Sequence, residues 1–98
     1  MDIQYKDKKL EKVCTDATAA RKKYGAKMAE EIHKCIDALT AAESVEVLVQ
    51  WHICRCHPLT GNRKDQYAMD LEHPYRLIFE KGKDGSLNVN VIEIVDYH

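Results

Sequence analysis

The sequence predicts an α+β fold in the order β-α-α-β-β-β, with a hairpin of two helices packed on one face of a small, mostly antiparallel sheet. Three observations predict it. Apolar residues recur at spacings of three and four through the first 40 residues, the period of a helix with one buried side. From residue 66 onward they fall into short alternating or β-rich runs. Both prolines and three of the four glycines lie in the second half, which leaves Gly25 alone between the two helical stripes. At 98 residues the chain makes one domain, residues 1–98, with too little length for a second core.

Ile3, Gln4 and Tyr5 read as a short first strand. Over residues 8–24, Leu10, Val13, Ala17, Ala20 and Tyr24 form one stripe and predict a single helix. Asp7 suits its N-cap and Gly25 the position past its last turn. Met28, Ile32, Cys35 and Leu39 form a second stripe, a helix over residues 26–40, and the short connection makes the pair antiparallel. Residues 44–51 fit two descriptions: Val45, Val47 and Val49 alternate as in a strand, while Ser44 suits the cap of a short helical turn. Residues 52–64, HICRCHPLTGNRK, contain no acid and are kept irregular by Pro58 and Gly61. Three strands follow at residues 66–71, 75–80 and 88–95, joined by a tight turn at His73 and Pro74 and a second at Asp84 and Gly85. The face of the sheet away from the helices is left partly open to a ligand.

Composition excludes several classes. With 45% hydrophobic and 32% charged residues the chain folds. No apolar run approaches the roughly 20 residues of a membrane span. The start, MDIQYKDKKLEK, alternates charge and has no apolar signal core. Fifteen basic against sixteen acidic residues give a net charge of −1, so any nucleic-acid contact rests on a local patch. The four cysteines, Cys14, Cys35, Cys54 and Cys56, read as free thiols in a reducing, cytoplasmic setting. The Cys54-x-Cys56-His57 cluster is tighter than a zinc knuckle and no second ligand pair follows it, so neither metal nor cofactor is expected. There is no Gly-rich phosphate loop and no G-x-S-x-G elbow.

Three features carry chemistry: the basic loop through His57, Arg63 and Lys64; Arg76 between Tyr75 and Leu77; and the segment Asp96, Tyr97 and His98. Histidine moves protons near neutral pH, and arginine presents a planar fork to a developing phosphorane. The plain alternatives are a solvated loop histidine, a salt-bridged arginine, a tyrosine in the core and a frayed last residue.

The segments HPLTGNRKDQYAMDLEHPYRLIFE and VIEIVDYH resemble the HigB-type "plasmid killer" toxins of bacterial type II toxin–antitoxin systems, within the RelE/ParE superfamily. The resemblance covers residues 52–98 closely, and the two helices agree in length and position. It implies the compact RelE-like fold and an endoribonuclease that cuts mRNA in the ribosomal A site and inhibits translation. It also implies metal-free chemistry, in which the RNA 2′-OH attacks the adjacent phosphate to leave a cyclic phosphate and a 5′-OH. Carried over by position, His57 and His98 exchange protons, Arg76 holds the phosphate, Tyr97 orients or donates, and Asp96 supports His98. Arg55, Arg63 and Lys64 are the candidate RNA contacts. The implied partners are mRNA, the ribosome and a HigA-like helix-turn-helix antitoxin, for which Lys6, Lys8, Lys9 and Lys12 offer a docking surface. Asp70 stands where many members carry a basic residue, and Thr60 where relatives often carry Lys. A charge reversal beside a phosphate site opposes RNA binding. Two other readings are a ParE-like inhibitor of a protein such as DNA gyrase, and an inactive relative.

Overall fold

In a computed structural model, which describes residues 1–82 and 88–96, short polar side chains set the limits of the helices. Asp7 accepts a hydrogen bond from the Leu10 backbone N–H at 2.8 Å and starts α1 (Lys8–Thr15). The stripe expected to form one helix over residues 8–24 is divided. Asp16 adopts an extended backbone (φ −122°, ψ 110°) and accepts from the N–H groups of Thr18 at 2.9 Å and Ala19 at 3.3 Å, which begins α2 (Ala17–Tyr24). The cause is the short carboxylate, which satisfies the N–H groups of a new helix better than it tolerates the middle of an old one. Gly25, at φ +90°, closes α2 through its N–H to the Arg21 carbonyl and opens α3 (Ala26–Ala41). The ambiguous segment is helical: Ser44 Oγ accepts from Val47 N–H at 3.3 Å and caps α4 (Val45–Gln50), turning Val45 and Leu48 into the core.

Among the described residues, five strands form one mixed sheet: β1 (Asp2–Tyr5), β2 (His57–Pro58), β3 (Gln66–Asp70), β4 (Tyr75–Lys81) and β5 (Asn88–Asp96). The spatial order is β1-β5-β4-β3-β2, with β1 parallel to β5 and the other pairs antiparallel. The expected α+β arrangement is therefore present, with a two-residue strand added inside the segment expected to be irregular. Pro58 is tolerated there because β2 is an edge. The turn at His73 and Pro74 joins β3 to β4 as expected. The turn at Asp84 and Gly85 lies outside the described residues.

The helical layer covers one face of the sheet. Phe79, Leu77, Met69, Val89 and Val91 meet Met28, Ile32, Leu39 and Leu48 in a single apolar cluster. Tyr67 stacks on its register partner Phe79 at 5.5 Å between ring centroids. A bulge between Ile78 and Phe79 shifts the pairing with β5, so that Ile78 faces Glu93 while Phe79 faces Val91. It resolves the two-sided apolar pattern of the last strand: Val91 and Ile94, three residues apart, both pack on the helical side. Among the described residues, no helix is long and apolar enough to cross a membrane.

Candidate functional site

Alternation along the strands sends Ala68 and Asp70 of β3 and Arg76 and Ile78 of β4 to the face away from the helices. Ala68 and Ile78, directly paired, are fully buried there and form a small apolar floor. His57 lies across from Ala68, and Asp70 across from Arg76. Arg76 Nε stands 3.2 Å from Asp70 Oδ1, and Arg55 Nε stands 3.1 Å from Asp70 Oδ2. One carboxylate is thus shared by two guanidinium groups. Oδ1 is screened from solvent, and Arg76 meets it as a charge rather than through an aligned hydrogen bond. The Arg55 side chain is 83% exposed, so its pairing contributes under about 1 kcal/mol. Its role is positional.

The approach to this face is a tight loop. His52, Cys54 and Arg55 all have positive φ, between 50° and 55°, a region that residues with a Cβ avoid. Two hydrogen bonds of 2.9 Å close it, from Arg55 N–H to the His52 carbonyl and from Cys56 N–H to the Ile53 carbonyl. Fully buried Cys56 anchors the loop in the core. A strain of about 1–3 kcal/mol per residue persists only where the surroundings impose it. The loop also turns the Arg55 carbonyl onto His57, whose Nδ1 lies 2.8 Å away. A carbonyl only accepts, so the bond places a proton on Nδ1 and leaves Nε2 with the free lone pair in the neutral ring.

Cys35, buried on α3, directs its thiol to the Asp70 carbonyl at 3.6 Å. The neighbouring Cys54 thiol, more than burial, pushes the Cys35 thiol up, and Cys35 in turn holds Cys54 below the usual thiol range, against the effect of its own partial burial. Burial pushes Cys14 and Cys56 up to about 12. All four cysteines are free, and Cys14 and Cys35 pack in the core as small apolar residues, Cys35 as its position on the second stripe suggests. Among the described residues, no three His, Cys, Asp or Glu side chains gather in a group able to hold a metal ion.

His52, Arg55, His57, Asp70 and Arg76 line one open recess of about 390 Å³. It unites three residues picked out in the sequence, His57, Arg76 and Arg55, with two that were not assigned to a site. His52 had only its place in the acid-free segment to signal it. Asp70 stood out as a charge reversal, and its partners depend on strand register. Arg63 is engaged elsewhere, with Nη2 2.5 Å from Glu93 Oε1 and Nη1 3.0 Å from Gln66 Oε1. Lys64 is exposed just past the 3₁₀ turn Gly61–Arg63. Asp96 ends β5 opposite Tyr75, one residue beyond Val95, the partner of Arg76. Tyr97 and His98 lie outside the described residues. A second open recess, about 600 Å³, lies between α2 and α3 with Arg21, Glu30, His33, Lys34 and Asp37 on its walls.

A family model described as the RelE-like toxin of type II toxin–antitoxin system HigB matches residues 3–98. Among solved structures, a YoeB/ParE toxin from Agrobacterium tumefaciens is similar over 100% of both chains, with a TM-score of 0.66 and 14% identity. A YoeB-YefM complex from Staphylococcus aureus is similar over 100% of this chain and 97% of that one, with a TM-score of 0.65 and 15% identity. At such identities the likeness is one of fold. A search of curated proteins gives no match.

Proposed function

The chain belongs to the HigB-like toxins of type II toxin–antitoxin systems, and from that premise we propose that it is a ribosome-dependent mRNA endonuclease that inhibits translation. The observation that carries this reading is the recess itself: a histidine with an oriented lone pair stands beside two guanidinium groups on the open sheet face. In the proposed reaction His57 Nε2 takes the proton of an RNA 2′-OH as its oxygen attacks the adjacent phosphorus. Arg76, with Arg55, offsets the negative charge that builds on the phosphorane oxygens. The bond to the 5′-oxygen breaks, and His98, matched to the family pattern, returns a proton to that oxygen. The products are a cyclic phosphate and a 5′-OH. Tyr97 orients or donates, Asp96 supports His98, and Arg63 and Lys64 extend the contact to the RNA strand.

Asp70 was expected to oppose RNA binding. Two guanidinium groups against one carboxylate leave the recess with a positive balance, and the carboxylate tethers both cations at its mouth. The reading therefore keeps Asp70 as part of the site. A protein antitoxin, HigA-like, is the proposed partner; the similar structure from Staphylococcus aureus is itself a two-protein complex, YoeB-YefM. The proposed place of action is the cytoplasm, where translated messages are.

Mapping of mRNA 5′ ends after induced expression tests the proposal. Cuts in phase with codons, confined to translated messages, are expected. Arrested replication with intact messages would replace the nuclease by an inhibitor of a protein target.

A further inference from the structure

Tryptophan is the largest apolar side chain and is usually mostly covered. Trp51, the single tryptophan of the chain, is 68% exposed, and Ile53 is 38% exposed. Among the described residues these are the exposed large hydrophobics, and in the chain they directly precede and follow His52, a wall of the recess. The position is held firmly. Trp51 ends α4 with its N–H on the Val47 carbonyl at 3.0 Å, and the loop that follows is closed by its two hydrogen bonds and anchored by buried Cys56. With the backbone of this corner fixed, an exposed indole has only two side-chain torsions to lose when it meets a flat ligand.

The neighbouring chemistry narrows the ligand. Arg55, Arg76, His52 and His57 favour an anion, and a nucleic-acid strand alternates anionic phosphates with flat aromatic bases. Two side chains are also a small patch beside the roughly 800 Å² that each partner contributes to a stable protein interface. We propose that Trp51, seconded by Ile53, is a nucleobase-stacking ledge at the rim of the recess and takes one base of the single-stranded RNA whose phosphate the recess holds. The proposal rests on the ribonuclease reading for the identity of the strand. Stacking uses the π face common to all bases, so the ledge grips without selecting a base strongly.

Because Trp51 is the only tryptophan, its fluorescence reports on this site alone. The native protein is titrated with a 2′-O-methyl RNA trinucleotide, which lacks the attacking hydroxyl, and with an abasic oligomer of equal charge. Saturable quenching by the first and none by the second is expected. In cleavage on programmed ribosomes, Trp51→Ala raises KM about tenfold with a smaller change in kcat, and Trp51→Phe recovers most of the loss. Equal quenching by both oligomers, or by neither, overturns the ledge. So does a Trp51→Ala protein that cuts normally, and one that cuts normally but binds its antitoxin less tightly makes the patch a protein contact. The two readings fail separately. Base-dependent quenching in a protein that cuts no message leaves the ledge and removes the nuclease, whereas normal cutting without quenching does the reverse.

Discussion

At the scale of single residues, the recess assigns different work to its two kinds of charge. Arg76→Ala should lower kcat on programmed ribosomes by about 100-fold or more while ribosome binding changes little, because the guanidinium meets charge that develops during reaction. Equal losses in both measurements would make Arg76 a docking residue. Asp70→Asn removes the carboxylate that holds Arg55 and Arg76 at 3.1 and 3.2 Å. It should tighten RNA binding severalfold and steepen its salt dependence, yet lower kcat by about tenfold, since looser cations are worse placed. A rise in both binding and kcat would show that Asp70 only opposes the substrate. The thiols divide as sharply. Cys54 is half-buried and held below the usual thiol range, whereas Cys14 and Cys56 are pushed up to about 12. More thiolate at neutral pH means that iodoacetamide should label Cys54 first, as peptide mass spectrometry would show. Early labelling of Cys56 would mean that the loop opens. Much of this site was legible in the sequence, because histidine and arginine in an acid-free segment announce their chemistry. The shared carboxylate was not legible. It depends on Asp70 falling opposite Arg76 in the register and on three left-handed residues that bring Arg55 across.

At the scale of elements, the break between α1 and α2 carries a testable pH dependence. The Ala19 N–H, the Lys12 ammonium and the Thr18 N–H hold the Asp16 carboxyl below the ordinary carboxylate range. A depressed folded value means that the stabilisation is present above the unfolded carboxylate pKa and is lost as pH falls through the folded one. Asp16→Ala should therefore lower Tm by a few degrees at pH 7. The difference should shrink steadily below about pH 4. A gap that stays constant with pH would mean that the cap acts by helix propensity alone. The break also shows why periodicity misled. Val13, Ala17 and Ala20 keep their spacing through Asp16, and a hydrophobic stripe carries no record of where the backbone leaves the helix. In residues 44–51 the Ser44 cap, worth about as much as any local signal, decided against the valine alternation. The two-residue β2 gave no periodic signal, because a pattern needs more length than two residues provide.

At the scale of the whole molecule, a net charge of −1 coexists with a basic recess because acidic partners are placed selectively. Lys81 of β4 pairs with Glu46 of α4, and Lys12 pairs with Asp16 at 3.3 Å, while Lys6, Lys8 and Lys9 stand exposed beside them at the start of the helical layer. If the antitoxin approaches from that side, charge reversal at Lys8, Lys9 and Lys12 should slow association about tenfold at low salt, with a smaller effect on dissociation. Stopped-flow mixing at two ionic strengths measures both. Slower association on reversing Arg55, Arg63 and Lys64 instead would place the partner over the recess.

The sheet order has a consequence for how the molecule comes into being. Among the described strands β5 is translated last, yet it sits between β1 and β4 and is the one neighbour of β1. Until β5 emerges, β1 has no ladder to join and the inner edge of β4 has no cover. Pairing between distant parts of a chain is slow and cannot begin early. Assembly of the sheet thus waits for residues 88–96, so the ladder beside Arg76 is completed only once β5 has emerged.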